Sequence, residues 1–130
     1  MKVDELLAIL FIIALLNNLA CLFSIYKLAK LCNLTSGFLS FFFVDVHSTE
    51  MKSFIAKVWL FKKMDIPNNG KFWLAFARIG GILNTIFIYI YGAIITIHNN
   101  DMLILIIWTV IVIIIDVNMY KQFNKWIEQA

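Results

Sequence analysis

Two long apolar runs, separated by a polar turn at residues 98–101, dominate the second half of the chain. The first run, residues 79–97, contains only three clearly polar side chains, and the second, residues 102–115, contains only Thr109. A helix needs about 20 apolar residues to cross the hydrocarbon core of a bilayer. The pattern therefore predicts a transmembrane helical hairpin whose second helix continues from residue 102 to residue 120.

A third apolar run, residues 6–26, lies close to the N-terminus. Asp4 and Glu5 precede this run, and Lys27 and Lys30 follow it. A cleavable signal peptide carries basic residues before its apolar core, so we interpret the run as a permanent first transmembrane helix. Residues 28–46 include an apolar stretch, 38–44, that is too short to span a bilayer. We expect this segment to insert partially at the membrane interface.

Residues 49–64 show the clearest helical amphipathicity in the chain. Apolar residues recur at positions 51, 54, 55, 58 and 59, Ser48 suits an N-cap, and the only proline, Pro67, follows the segment. The same segment carries four basic residues, namely Lys52, Lys57, Lys62 and Lys63. We predict a basic helix that lies flat on an anionic membrane surface or packs its apolar stripe on the transmembrane helices, and the two arrangements are compatible.

A long helix is predicted over residues 71–97, and its first turns stand outside the hydrocarbon because its full length is about 40 Å. Ala77 and Gly81 lie four residues apart on this helix, a spacing that lets another helix approach closely. A tail, residues 121–130, follows the third helix, residues 102–120. We expect its basic and aromatic residues to anchor the helix end at the interface.

These elements predict an all-α membrane protein, formed as one domain over residues 1–130, with three transmembrane helices and an interfacial amphipathic helix. An apolar content of 62% exceeds that of ordinary soluble domains. Eight of the 11 basic residues but only three of the eight acidic residues fall within residues 27–78, which gives this segment a net charge of +5. Short basic loops remain in the cytoplasm, so we expect an external N-terminus and a cytoplasmic C-terminus.

Polar residues recur at one depth within the predicted spans. Counted along each helix, this polar layer contains Asn17, Asn18, Asn84, Thr85 and Asp116, with Arg78 near its edge. A carboxylate facing lipid costs about 2.5 kcal/mol or more at the helix centre, so we expect Asp116 to turn inward toward the amides, with Arg78 extended toward it. Two alternatives stay open, in which Asp116 is hydrated near the interface or carries ions or protons.

Residue types that support catalysis or metal binding are scattered along the sequence. His47 and His98 fall on opposite predicted sides of the membrane, and Cys21 and Cys32 have no metal-binding or redox spacing, so we expect free thiols. We find no nucleophile with a partner base and no glycine-rich phosphate loop. The sequence predicts no catalytic site, metal or cofactor. The basic segment lacks the signals of a nucleic-acid-binding fold, and attraction to anionic lipids explains it more simply.

A resemblance to a known family rests on four features of the sequence. They are residues 17–31 (NNLACLFSIYKLAKL), the Phe43-Val44-Asp45 step, residues 57–65 (KVWLFKKMD) and Arg78 at the start of the second span. Over about residues 10–95 the chain resembles universal stress protein B and related small bacterial inner-membrane proteins in its layout of span, basic cytoplasmic segment and span. It departs from that layout by a third span and fewer arginines. The resemblance implies a bacterial inner-membrane protein without an established enzymatic activity.

We predict a small integral membrane protein that acts through interactions, as an accessory, regulatory or stress-linked subunit. The expected partners are the bilayer with its anionic lipids and either another membrane protein or further copies of this chain. Two alternatives remain. One is an oligomeric small transporter or channel with Asp116 in its pathway, against which the presence of a single intramembrane acid weighs. The other is a pore-forming lysis protein, which would be toxic on expression.

Overall fold

The computed structural model describes residues 2–130, and every regular element in that range is helical. The α-helices are α1 (Val3–Leu31), α2 (Phe38–Phe43), α3 (Thr49–Trp59), α4 (Lys71–Asn99) and α5 (Met102–Gln129), with short 3-10 helices at Asp45–His47 and Asn68–Gly70. Three of them, α1, α4 and α5, are long and apolar enough to cross a membrane. The predicted all-α class with three helices of spanning length is confirmed.

Helix α4 lies between the other two long helices. It packs against α1 along one side and against α5 on another, whereas α1 and α5 scarcely touch each other. We call the end of this layer at residues 98–101 the hairpin end, and the opposite end, where α4 begins at Lys71, the α3 end. The C-terminal part of α5 packs on α3.

The seam between α1 and α4 depends on small residues. Asn17 Nδ2 donates to the Gly80 carbonyl over 2.9 Å, and Cys21 Sγ lies 4.0 Å from the Ala77 carbonyl oxygen. A Cβ at Gly80 would overlap Cys21 Sγ. Partner numbers fall on α4 as they rise on α1, so the two helices are antiparallel. The absence of a side chain at Gly80 allows this close approach.

The hairpin at residues 98–101 forms where the polar turn predicted it. Asn100 adopts a left-handed conformation with φ 51°, and Asp101 accepts a hydrogen bond from the Leu103 amide and so caps α5. The Trp108 indole lies against Gly92, where a Cβ would overlap it, and donates to the Ile88 carbonyl over 3.1 Å. The two helices are therefore closely packed at the hairpin end.

Helix α3 packs its apolar face into the protein. Ser48 caps the helix by accepting from the Met51 amide, and Met51 and Val58 are fully buried. The apolar core at the α3 end is shared by four helices and includes Ile25, Leu28, Phe41, Met51, Phe54, Val58 and Ala77. Of the two predicted arrangements, the structure has the apolar stripe packed on the long helices.

One predicted helix end needs correction, and two of the long helices continue past their predicted spans. Helix α1 continues beyond the predicted 6–26 to Leu31, because Leu28 and Ala29 are buried in the core at the α3 end. Helix α3 ends at Trp59 instead of residue 64, and Phe61 then takes a left-handed φ of 57°. The predicted tail 121–130 is helical as far as Gln129, because this part of α5 packs on α3 and brings Trp126 within 5.8 Å of Lys52 Nζ.

Candidate functional site

A cleft of about 630 Å³ opens between α1 and α5 and is backed by α4. On the α5 side it is lined by residues 115–123, which follow the buried residue Val112, and the C-terminal part of α5 packs on α3. The end of α3, residues 59–61, lines the cleft from the α3 end, while Trp108 packed on Gly92 fills the space toward the hairpin. We refer to this feature as the lateral cleft.

The lateral cleft gathers most of the predicted polar layer. Of its six residues, five line the cleft, namely Asn18, Arg78, Asn84, Thr85 and Asp116. The sixth, Asn17, lies in the seam with α4 and donates to the Gly80 carbonyl. Residues from three helices therefore meet at one site.

The predicted pairing of Asp116 does not form. Asp116 is exposed to the cleft, and within residues 2–130 its carboxylate accepts no hydrogen bond from an amide or from Arg78. Two of the predicted donors are bonded elsewhere, because the Gly80 carbonyl accepts from the Asn17 amide and the Val58 carbonyl accepts from the Arg78 guanidinium. The Asp116 carboxylate therefore faces the cleft without a hydrogen-bond partner from residues 2–130.

Arg78 holds the end of α3 against α4. Its Nε donates to the Val58 carbonyl over 3.0 Å, and its Nη2 donates to the carbonyls of Lys57 and Lys62 over 3.3 and 2.7 Å. The guanidinium carbon also lies 5.2 Å from the centroid of the Phe61 ring. The last carbonyls of a helix lack intrahelical partners and carry partial negative charge, so a cation is well suited to cap them.

The four lysines predicted on the amphipathic helix lie around α3 and the segment after it. Lys52 and Lys57 are half-buried, and Lys62 and Lys63 are exposed. Lys52 Nζ lies 5.8 Å from the centroid of the Trp126 ring, which links α3 to α5. We call these four residues the lysine face.

The two small residues predicted to aid helix packing contact different neighbours. Ala77 is fully buried against α1, beside Cys21. Gly81 lies under the Trp59 ring of α3, and a Cβ there would overlap that ring. Together they bring α1 and α3 onto α4 at the α3 end.

A second cavity, of about 370 Å³, lies beside α3 and is lined by Cys32, Lys57, Lys63 and Asp65 among others. Burial, and then the nearby negative charge of Asp65, raises the pKa of the Cys32 thiol above its usual value. Both cysteines are free. Within residues 2–130, no three potential metal-ligating side chains come together.

Comparison with protein-family models, with curated proteins and with solved structures finds no match for this chain. The resemblance to universal stress protein B therefore stays an expectation drawn from the sequence. The lysine face and the lateral cleft are the two features of the structure that bear on function.

Proposed function

We propose that this chain is an accessory or regulatory subunit of a bacterial inner membrane, where it binds another membrane protein through a basic surface on the cytoplasmic side. Three helices of spanning length support the membrane location. The concentration of basic residues between α1 and α4 supports an external N-terminus and an α3 that faces the cytoplasm. A role in stress is proposed from the resemblance alone.

The observation that carries this proposal is the burial of the apolar face of α3. A helix that binds a membrane surface leaves its apolar face free to enter the lipid. Here Met51 and Val58 are fully buried in the protein, and the helix end is held by Arg78. Tertiary contacts therefore fix the lysine face, which makes it suited to an acidic surface of a partner, with anionic lipid headgroups beside it.

Site-specific photo-crosslinking tests the accessory role. With a photoreactive residue in place of Lys63, we expect one defined protein adduct in native membranes. Replacing Lys52, Lys57 and Lys62 by Glu should lower the adduct yield by about tenfold or more, because charge repulsion opposes an acidic partner. A photoreactive residue at Asn100, which is exposed at the hairpin end, is the matched control and should give no such adduct. Adducts with lipid alone at position 63 would contradict the proposal.

A second candidate function, an oligomeric transporter or channel, is favoured by the lateral cleft. Asp116 lies in the same cleft as Asn84 and Thr85, and it is free of bonded partners within residues 2–130. In this case Asp116→Asn should abolish ion or proton flux into proteoliposomes, whereas an accessory subunit should keep its partner adduct after the same change. Absence of flux in the unmodified protein would exclude this candidate.

A further inference from the structure

We propose that the lateral cleft binds a lipophilic aromatic cation, with Asp116 as its counter-ion. None of the four lysines lines the cleft, and the proposal goes beyond the accessory role. Its volume of about 630 Å³ falls in the range of small-molecule sites, about 300–1,000 Å³. Such sites are lined mainly by apolar and aromatic side chains with a few polar groups, and this cleft has that composition.

The charge available in the cleft is negative. Two charged residues line it, Arg78 and Asp116. Three of the five N–H donors of Arg78 are used by backbone carbonyls, two of them in α3 and one at Lys62, and the partial negative charge of that helix end offsets part of the guanidinium charge. The Asp116 carboxylate has no bonded partner within residues 2–130. A cation therefore complements the site, and an anion does not.

The walls around this carboxylate suit a cation that carries aromatic groups. Four aromatic side chains line the cleft, namely Trp59, Phe61, Tyr120 and Phe123. Aromatic faces attract a positive charge and pack against apolar rings. Ile82, Ile115 and Met119 supply further apolar contact. The site thus offers one counter-charge within a largely apolar and aromatic surface.

The route into the site is lateral. Trp108 on Gly92 and the buried Val112 close the cleft toward the hairpin end, and α1 and α5 stand apart on either side of it. Asp116 follows Asn100 by 16 residues, so it lies about 24 Å from the turn along α5 and within the hydrocarbon. A lipophilic cation dissolved in the bilayer can reach it without crossing an aqueous channel.

Calorimetry in mild detergent with tetraphenylphosphonium and tetraphenylborate tests the proposal, because these ions share size and shape and differ in charge. In separate titrations, we expect one tetraphenylphosphonium to bind per chain and tetraphenylborate not to bind. Asp116→Asn should weaken binding by about tenfold or more, as the loss of a charged partner does. Asn118→Ala, on the same helix but outside the cleft lining, is the control and should bind as the unmodified chain does.

Two tryptophan variants test the proposal independently of Asp116→Asn, which could alter the fold. Thr85→Trp fills the cleft and should abolish binding, whereas Ile86→Trp, an exposed neighbour outside the cleft lining, should not. Equal binding of both ions, unchanged affinity in Asp116→Asn, or a bound phospholipid that tetraphenylphosphonium cannot displace would overturn the proposal. The crosslinking experiment on the lysine face detects a protein partner. The accessory role and the cation site can therefore be contradicted independently of each other.

Discussion

Gly80→Ala is expected to lower the free energy of unfolding by about 2 kcal/mol, and Cys21→Ala in the same chain should restore most of that loss. A Cβ at position 80 overlaps Cys21 Sγ in the seam between α1 and α4. It would lie 3.8 Å from the Cys21 Cβ, an ordinary contact, once the sulfur is removed. The double variant therefore has room for the alanine side chain at position 80, whereas the single variant forces α1 and α4 apart.

Unfolding by sodium dodecyl sulfate in mixed micelles, followed by circular dichroism, measures this double-mutant cycle. Gly37→Ala is the matched control, because a Cβ at Gly37 meets nothing within 4 Å, and its stability should stay close to that of the unmodified chain. A Gly80→Ala variant as stable as the parent, or one that Cys21→Ala fails to rescue, would show that this seam is not where α1 and α4 meet.

Arg78→Leu should lower the free energy of unfolding by about 3 kcal/mol, because three carbonyls, two in the last turn of α3 and one at Lys62, lose a charged hydrogen-bond donor. Arg78→Lys should recover only part of the loss, since an ammonium cannot match the fork of a guanidinium. Phe61→Gly should also recover part of the loss in the Arg78→Leu chain, because glycine adopts the left-handed conformation of position 61 without steric cost.

Hydrogen exchange shows which residues lose stability when Arg78 is replaced. In Arg78→Leu, backbone amides at residues 59–63 should exchange faster, while those in the middle of α4 keep their protection. Lys71→Leu removes an exposed cation from the start of the same helix and should leave both regions unchanged. Uniformly faster exchange along α4 would mean that Arg78 supports the helix itself and not the end of α3.

The pattern of apolar and polar residues predicted the features that depend only on residues close together in the sequence. The hairpin follows from two apolar runs around a polar turn, and the start of α3 follows from the cap at Ser48. Residue counts along the helices predict that most of the polar layer lies at one depth, and in the structure Arg78, Asn84 and Asp116 line one cleft. Depth can be counted from sequence because the rise of a helix is fixed.

Features that depend on tertiary contacts could not be predicted from the sequence. The end of α3 depends on Arg78, which lies on another helix, and on a left-handed Phe61 that conformational preference disfavours. The extension of α5 depends on its packing against α3. The predicted pairing of Asp116 does not form, and a count of depth cannot show that backbone carbonyls bind the Asn17 amide and the Arg78 guanidinium.

One contact could have been found from sequence. Gly92 and Trp108 are each eight residues from Asn100, so an antiparallel hairpin that turns at Asn100 places them side by side. A glycine opposite a tryptophan indicates close packing, and the indole does lie on Gly92. The lateral cleft begins beyond this contact, where the C-terminal part of α5 packs on α3.

Thiol labelling tests the central claim, that the chain crosses a membrane three times with α3 on the cytoplasmic side. Asn100→Cys and Asn68→Cys, each made in a chain with Cys21 and Cys32 changed to Ala, put one exposed thiol at the hairpin end or at the α3 end. A membrane-impermeant reagent should label position 100 in intact bacterial cells and position 68 only after permeabilisation. Labelling of position 68 from outside, with position 100 protected, would contradict the claim.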